Sequence, residues 1–316
     1  MLDADQVKFF QDNGYVVVPD VLDQTTVMDP VRAEYAALID DLYDEWHAKG
    51  LVPSPDGMGF WDKMRAAYVN GCDWFQPMDI SLPASQVTPD TPFHFGQAVM
   101  NMITAPKLLD VVECLIGPEI TSNPIQHVRI KPPATQLRPG ETRAHITATD
   151  WHQDQGVTHE SADSTQMVTV WIAVTDATRQ NGCLQVQPGR HRDDLLPHCD
   201  KTQIGIPNSF IGGHRSVPLP VASGGVVIFH PKSPHASLIN KTDQFRWSFD
   251  IRFNVTGQST GRDHFPSFVA RSRANPETEL RDADRWRAMW EGARAKLSAS
   301  PHVSLYRWDN AAPYCA

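Results

Sequence analysis

The sequence predicts a mainly β protein with flanking helices, built as a barrel or jelly roll. Between about residues 119 and 255, short strand-like segments alternate with turn signals such as Asn181-Gly182 and Gly224-Gly225. Many short strands separated by turns are typical of barrels and jelly rolls. On both sides of this stretch apolar residues recur at helical spacing, which indicates flanking helices.

The N-terminal part, about residues 1–118, is predicted to be largely helical. Its expected elements are the helices Asp3–Gln11, Val27–Ala48 and Leu108–Leu115 and the strand Tyr15–Pro19. Asn13-Gly14 ends the first helical pattern, as glycine commonly does at a helix C-cap. Residues 51–95 are irregular and rich in aromatic residues, proline and glycine. Two interpretations of this stretch stay open: a lid or substrate wall, and ordinary packing of large side chains.

The core, about residues 119–255, contains the predicted strands. They are Gln126–Lys131, Met167–Thr175, Leu184–Gln187, Gly225–Phe229, Ala236–Asn240 and Arg246–Asn254. Asn181-Gly182, between the second and third of these strands, has the composition of a hairpin turn. We therefore expect a hairpin at this point.

The last predicted strand has one polar and one apolar face. Its residues form two alternating series, polar Arg246, Ser248, Asp250 and Arg252, and apolar Trp247, Phe249, Ile251 and Phe253. The polar face either meets solvent or lines a cavity, because polar groups removed from water need partners. In a cavity, the Arg246 guanidinium would suit a carboxylate of a dianionic ligand.

The C-terminal part, about residues 256–316, is predicted to be a helical tail. Residues 277–298 have helical spacing, and their apolar face is expected to pack against the barrel. That face consists of Trp286, Met289, Trp290, Ala293 and Leu297. We detect neither an internal repeat nor a linker, so we predict one domain over residues 1–316.

Composition excludes several classes of partner. The chain has 316 residues, 41% of them hydrophobic, and a net charge of −9 without a block of Lys or Arg. This charge argues against a nucleic-acid or anionic-membrane surface. The N-terminus lacks the features of a signal peptide, and the longest apolar runs are too short to span a membrane. We expect a cytoplasmic protein, monomer or homodimer, that acts on a small molecule.

The cysteines indicate a reducing compartment. They are odd in number and scattered, at Cys72, Cys114, Cys183, Cys199 and Cys315. No C-x-x-C pair is present. Neither a disulfide framework nor a structural zinc site is therefore expected.

A candidate metal site lies in the segment Trp151-His-Gln-Asp-Gln-Gly156. His152 and Asp154 are two residues apart, and on a β-strand such residues point to the same face. A second histidine from a distant strand would complete a 2-His-1-carboxylate triad. This ligand set suits non-haem Fe(II) and leaves coordination positions open. Both His230 and His235 are candidates for the second histidine, and spacing alone does not choose between them.

These segments, taken together and in order, resemble the phytanoyl-CoA dioxygenase family. The matching segments are WHQDQG, VTVWIAVTDATRQNGCLQVQPGRHR and GGVVIFHPKSPHASLIN, followed by Arg246, with further similarity in LDADQVKFFQDNGYVVVPDVL, LLDVVECLIGPEI and VRIKPPA. The resemblance covers most of residues 1–255. It implies an Fe(II)- and 2-oxoglutarate-dependent oxygenase on a double-stranded β-helix, the cupin-like form of the jelly roll.

Residue by residue, the resemblance implies that His152, Asp154 and His235 bind the iron. It selects His235 over His230, because the family's ligand is the second histidine of the F-H-P-x-x-x-H pattern. It also implies that Arg246 pairs with the C5 carboxylate of 2-oxoglutarate.

Three further residues are expected at the cosubstrate site. The resemblance implies that Trp171 lines this site and that His127 makes another contact there. Ser248 is expected to be a second donor beside Arg246. Arg190 stands where the family has the serine of P-G-S-H, so it either contacts substrate or faces solvent. Related halogenases carry a small residue at the position of Asp154, so a carboxylate there favours oxidation without halide.

The predicted function is oxidation, most simply hydroxylation, of an unactivated C–H bond in a small, partly apolar molecule. Iron, 2-oxoglutarate and O2 are the expected cofactor and cosubstrates, and 2-oxoglutarate would be decarboxylated to succinate. A natural-product or secondary-metabolic role is favoured. The alternatives are a metal hydrolase with the same triad, which has no need of Arg246 as a dicarboxylate clamp, and a jelly-roll binding protein without activity.

Overall fold

Helices flank the strands in the computed structural model of the protein, which describes residues 1–83, 86–141, 143, 146–200, 204–300, 307–308 and 311–315. The α-helices are α1 Ala4–Asn13, α2 Asp29–Ala48, α3 Phe60–Val69, α4 Phe75–Met78, α5 Gln97–Ile103, α6 Pro106–Ile116, α7 Asn208–Ile211 and α8 Ala283–Ala299. The strands are β1 Tyr15–Val18, β2 Glu119–Lys131, β3 Met167–Ala173, β4 Leu184–Val186, β5 Cys199–Asp200, β6 Ile204–Gly205, β7 Val217–Leu219, β8 Val226–Phe229, β9 His235–Ser237, β10 Arg246–Val255 and β11 Phe268–Ser272.

Two antiparallel sheets form the jelly roll. The larger has the order β1-β8-β3-β10-β2-β11 and the smaller the order β7-β4-β9, while β5 and β6 pair separately. One cluster of buried apolar side chains joins β3 and β8 of the larger sheet to β4 and β7 of the smaller sheet. A second cluster joins the other face of the larger sheet to the helices. The predicted double-stranded β-helix with flanking helices is therefore confirmed.

The alternation in β10 separates the helix-covered face from the interior of the roll. Trp247 on the apolar face stacks on Phe60 of α3, with ring centroids 5.5 Å apart, and lies 5.0 Å from the Tyr35 ring of α2. Arg246 and Ser248 on the polar face are 1% and 0% exposed. Solvent exposure of the polar face is therefore excluded, and its charges need partners inside the protein or in a ligand.

Helix α1 ends as the sequence predicts. Gly14 adopts φ 77°, and its N–H donates to the Phe10 carbonyl. A Cβ at this position would lie 2.5 Å from both His191 Nδ1 and Ser233 Oγ. Glycine is needed here for its backbone conformation and for the close approach of two neighbouring segments.

The hairpin expected at Asn181-Gly182 is wrong. The chain does turn there, and the Asn181 side chain accepts a 2.7 Å hydrogen bond from the Thr178 N–H. However, the strands before and after the turn, β3 and β4, belong to different sheets. A β-carbon on Gly182 would lie 2.7 Å from the Leu238 carbonyl oxygen. The turn that crosses between the sheets therefore packs closely against the backbone at Leu238.

The aromatic stretch over residues 51–95 packs as core. Trp61 stacks on Phe245 at 5.5 Å, and Phe95 stacks on Trp290 of α8 at 5.0 Å. Of the two interpretations, these contacts support ordinary packing. Trp290 and the neighbouring Trp286 are almost fully buried, which confirms the apolar face predicted for the C-terminal helix.

The expectation of a purely helical C-terminal tail needs correction, because β11 pairs with β2 and extends the larger sheet. The interpretation of the cysteines also needs correction. Cys199 and Cys315 form a disulfide across a sequence separation of 116 residues, a pairing that spacing alone could not reveal. Among the described residues, no helix combines the length and apolar character needed to cross a bilayer.

Candidate metal centre

His152, Asp154 and His235 converge inside the roll. Their nearest ligand atoms all lie within 4.8 Å of one another. His152 Nε2 is 3.7 Å from Asp154 Oδ1, and His235 Nε2 is 4.0 Å from Asp154 Oδ2. The structure therefore brings together the three residues predicted from the sequence and leaves His230 outside the cluster.

The local backbone differs from the predicted continuous strand. His152 forms an isolated antiparallel bridge with His235, in which each N–H donates to the other carbonyl at 3.0 and 2.9 Å. Asp154 begins a short 3-10 helix that runs to Val157. The two side chains converge because the bridge holds the histidines together and the helical turn directs the carboxylate towards them.

Hydrogen bonds orient both imidazoles. His152 Nδ1 lies 2.9 Å from the Asp150 carbonyl, and His235 Nδ1 lies 3.0 Å from the Ser233 carbonyl. A carbonyl only accepts, so each Nδ1 carries a hydrogen and each Nε2 is the ring nitrogen left to face a metal. Metal-binding histidines usually have this arrangement.

His152 is suited to remain neutral. Burial, and then the neighbouring His235, lower the pKa of His152 to about 3. Near neutral pH the His152 Nε2 is therefore unprotonated and available to a metal.

Asp154 is held in its ionised form. Its carboxylate accepts hydrogen bonds from Arg252 and from the Thr169 hydroxyl. Burial opposes ionisation, but the Arg252 charge outweighs it, together with the histidines and Thr169, so the pKa of Asp154 lies well below its ordinary value. Two nitrogens and one fixed carboxylate oxygen then face a common point, a donor set that fits non-haem Fe(II).

Arg246 lies at the other end of the same cavity. Its Nη1 donates to Ser248 Oγ at 2.8 Å, and its guanidinium lies 5.1 Å from the centre of the Trp171 ring. Its Nε is buried and has no hydrogen-bond partner among the residues that the structure describes. Burial and then the charge of Arg129 lower the pKa of Arg246 to about 10. This end of the cavity has the features of an anion-binding site.

Lys131, opposite Arg246 in the sheet, adds a second buried cation. Its Nζ donates to the hydroxyls of Thr149 and Ser237 at 2.7 and 3.1 Å. Burial and then the charges of Arg246 and Arg129 hold the pKa of Lys131 well below its ordinary value. In the described part of the chain, neither Lys131 nor Arg246 lies within hydrogen-bonding distance of a carboxylate, so an anionic ligand would stabilise both charges.

Arg129, by contrast, has a protein counter-ion. It binds Asp250 through Nε and Nη2 at 2.8 and 3.0 Å. Burial disfavours ionised Asp250, but the charge and hydrogen bonds of Arg129 outweigh it and lower the pKa of that carboxyl to about 2. This pair is therefore compensated, unlike Arg246 and Lys131.

The cavity includes some of the expected cosubstrate residues and not others. The residues that line it are Arg129, Thr149, His152, Asp154, Thr169, Trp171, Leu184, Phe229, His235, Arg246 and Asp250. Ser248 lies behind the Arg246 guanidinium. His127 is outside this lining, and its Nδ1 lies 2.8 Å from Asp79 Oδ2. Arg190 faces neither cavity nor open solvent, because it binds Asp193 and the Phe210 carbonyl.

Sequence reasoning missed the partners that hold Asp154. Arg252 belongs to the polar face of the last strand, and its position six residues after Arg246 was the available signal. Thr169 is a lone hydroxyl residue in the otherwise apolar strand β3 and shares a face with Trp171 two residues later. Lys131 had a weaker signal, as a cation at the end of a predicted strand.

Solved structures with a similar fold exist for two enzymes. The apo non-heme monooxygenase ThoJ has a TM-score of 0.58 and 18% identity, covering 94% of this chain and 98% of its own. The epimerase SnoN, solved with Fe3+, alpha ketoglutarate and nogalamycin RO, has a TM-score of 0.51 and 18% identity, covering 81% of this chain and 86% of its own. The chain thus shares its fold with these two solved structures.

Sequence comparison identifies the family. The family model of phytanoyl-CoA dioxygenase (PhyH) matches residues 10–248. The peroxisomal phytanoyl-CoA dioxygenase of Homo sapiens is 25% identical over 297 residues, covering 89% of this chain and 75% of the relative. A methylphosphonate hydroxylase of Gimesia maris is 32% identical over 111 residues, covering 35% of this chain and 42% of the relative.

The chain belongs to the phytanoyl-CoA dioxygenase family. It is an Fe(II)- and 2-oxoglutarate-dependent dioxygenase, as the sequence predicted.

Proposed function

We propose that the protein hydroxylates an unactivated C–H bond of a small, partly apolar molecule, with conversion of 2-oxoglutarate to succinate. The observation that carries this proposal is the pairing of two features in one cavity. The cluster of His152, Asp154 and His235 lies at one end. Arg246 and Lys131 lie at the other end, and among the described residues no carboxylate is within hydrogen-bonding distance of either. A hydrolase would have no use for the second feature.

His152, Asp154 and His235 are the proposed iron ligands. Bound iron, 2-oxoglutarate and O2 would supply the oxidising power, which no side chain of the protein has. The residues around the triad position its side chains and set their charge. Arg252 and Thr169 keep Asp154 ionised and fix its direction, because each donates a hydrogen bond to it.

Arg246 is the proposed partner of the distal carboxylate of 2-oxoglutarate. Ser248 fixes one of its nitrogens, and the Trp171 ring supports the plane of the guanidinium. Lys131 would add a second positive charge behind Thr149. A contact from His127 remains a prediction, and its pairing with Asp79 weighs against it.

The substrate class is argued from the cavity walls. Leu184 and Phe229 supply apolar surface beside the triad, and the compensated Arg129–Asp250 pair supplies polar groups. This mixture suits a molecule with apolar carbon near polar substituents. A role in secondary metabolism is supported by fold similarity to SnoK, described as a carbocyclase from nogalamycin biosynthesis (TM-score 0.51, 17% identity).

Cellular context also stays a proposal. We propose a cytoplasmic protein in one domain, monomeric or homodimeric, that does not act on nucleic acid. The Cys199–Cys315 disulfide weighs against a reducing compartment, since structural disulfides are rare in the cytosol. Mass spectrometry of the protein alkylated in its source cells would show whether this disulfide forms there.

Anaerobic titration tests the proposal. Fe(II) and 2-oxoglutarate together should produce a weak visible absorption band, and neither alone should do so. Substrate then added with O2 should yield succinate and a product that carries one oxygen atom from labelled O2. A colourless mixture would refute the metal and cosubstrate assignments. A product that has lost two hydrogens without gaining oxygen would refute hydroxylation alone.

A further inference from the structure

The segment 151–156, which carries two of the proposed ligands, is held from outside the two sheets. The Gln153 N–H, between the two ligands, donates to His198 Nε2 at 2.9 Å. The Gly156 carbonyl, two residues after Asp154, accepts from Trp308 Nε1 at 2.6 Å. Asp154 begins a short 3-10 helix and not a paired strand. These two hydrogen bonds therefore fix backbone groups that strand pairing would otherwise hold.

His198 and Trp308 form one unit. The ring of Trp308 stacks on the His198 imidazole, with centroids 5.1 Å apart and planes at 27°. His198 is fully buried, and its Nδ1 lies 2.8 Å from the Leu196 carbonyl, so its Nε2 is free to accept from Gln153. A Cβ at Gly156 would lie 2.4 Å from this imidazole, so the contact leaves no room for a larger residue.

The C-terminal segment that carries Trp308 is anchored at two points. Arg307 donates to the Thr158 carbonyl at 3.0 Å and pairs with Asp163 at 2.7 Å. Cys315 is disulfide-bonded to Cys199, the residue that follows His198. The covalent bond therefore joins the tail to the strand that begins beside the stacked imidazole.

We propose that Trp308, held by the Cys199–Cys315 disulfide, is a positioning residue for the metal centre. It acts through the Gly156 carbonyl and His198 on the turn that directs Asp154. The inference rests on the proposed metal ligands. Residues 307–315 lie outside residues 10–248, the range that the family model matches.

Reduction of the disulfide should loosen this arrangement. Dithiothreitol would transfer two electrons and two protons to the S–S bond, becoming a cyclic disulfide and leaving thiols at Cys199 and Cys315. The segment would then keep only non-covalent anchors. Loss of interactions behind metal ligands commonly weakens metal binding by about 10- to 100-fold.

The test measures release of Fe(II) from the full-length protein to a coloured chelator under anaerobic conditions. The variants are Trp308→Phe, which keeps an aromatic ring but loses the N–H donor, and Cys315→Ser, which cannot form the disulfide. Trp61→Phe and Cys72→Ser are the matched controls, since Trp61 belongs to the aromatic core and Cys72 is a free cysteine. Each protein is also compared with and without dithiothreitol, and Co(II) absorption reports ligand geometry.

We expect both variants to release Fe(II) roughly tenfold faster or more, with an altered Co(II) spectrum and a metal-free unfolding midpoint near that of wild type. Dithiothreitol should accelerate release from wild type and Cys72→Ser but not from Cys315→Ser. Unchanged release in both variants would overturn the inference, as would a loss of metal-free stability that accounts for the faster release. If wild type itself binds no metal, the proposed function fails instead.

Discussion

The two ends of the cavity satisfy their charges in opposite ways. At the metal end, the Asp154 carboxylate already has Arg252 and Thr169 as partners. At the distal end, the hydrogen bonds and ring contacts of the two side chains among the described residues are to Ser248 and Trp171 for Arg246, and to the Thr149 and Ser237 hydroxyls for Lys131. The metal end is therefore pre-organised by the protein, whereas the distal end is completed only by an anion.

This difference explains how one cavity can bind a cation and a dianion. Two imidazoles and a fixed carboxylate favour a divalent metal. Uncompensated buried cations favour the far carboxylate of a keto acid, because desolvated charges gain most from a close counter-charge. Removing a charge at the metal end should therefore weaken metal binding, and removing a charge at the distal end should weaken 2-oxoglutarate binding.

The largest effect is expected from Asp154→Ala. Loss of the carboxylate removes one of three metal donors and leaves Arg252 without its counter-ion, so Fe(II) affinity should fall more than the 10- to 100-fold typical of residues behind the ligands. Equilibrium Fe(II) binding and succinate formation measure it. Asp263→Ala, an exposed aspartate, is the control. Wild-type iron affinity in Asp154→Ala would exclude this carboxylate as a ligand.

Arg246→Met should act at the distal end. We expect the 2-oxoglutarate concentration for half-maximal binding to rise roughly 10- to 100-fold, the equivalent of about 1.5–3 kcal/mol for a hydrogen bond to a charged group. Fe(II) affinity should change little. Anaerobic titration of the iron-loaded protein measures both, with exposed Arg285→Met as the control. A loss of iron affinity with normal 2-oxoglutarate binding would reverse our assignment of the two ends.

Lys131→Met should have a smaller effect of the same kind, about tenfold, because the Lys131 amino group acts from behind Thr149. It should also change the pH dependence. The pKa of Lys131 is depressed and an anion favours its protonated form, so 2-oxoglutarate binding should weaken as pH rises through that pKa. In Lys131→Met this weakening should be smaller. Lys241→Met is exposed and serves as the control, and an identical pH profile in Lys131→Met would argue against the second cation.

The smallest effect is expected on the stability of the metal-free protein when the pH falls. It arises at His198, which accepts a hydrogen bond from the Gln153 N–H between two of the proposed ligands. Burial lowers the pKa of His198 from 6.5 to about 4. The unfolded chain takes up this proton first, so the contribution of His198 to stability is complete above pH 6.5 and is lost as pH falls towards 4. Between pH 7 and 5 the metal-free protein should lose about 1–2 kcal/mol through this group.

Urea unfolding at the two pH values measures this loss. His198→Gln keeps a side chain that can accept from Gln153 but does not titrate, so its free energy of unfolding should fall less over the same range. Equal losses in wild type and His198→Gln would show that His198 does not carry the dependence. The loss of stability at low pH would then arise from other groups in the protein.

Local patterns determined much of this molecule. The alternation from Arg246 to Phe253 predicted a two-faced strand, because side-chain direction reverses at each residue of a strand. Asn13-Gly14 predicted a helix end, because the left-handed conformation there favours glycine. His152, Asp154 and Arg246 could be recognised as candidates because each stands in a short motif whose spacing has a physical meaning.

The tertiary structure decided everything that depends on long separations in sequence. No local sequence pattern predicts that Cys199 pairs with Cys315, that Trp308 donates a hydrogen bond to the Gly156 carbonyl, or that Arg252 pairs with Asp154. Nothing local shows that Asn181-Gly182 crosses between sheets, since a turn has the same residues whether its strands pair or part. Residue pattern specifies the direction and conformation of a segment, but contacts between distant segments follow only from how the sheets and helices pack around one core.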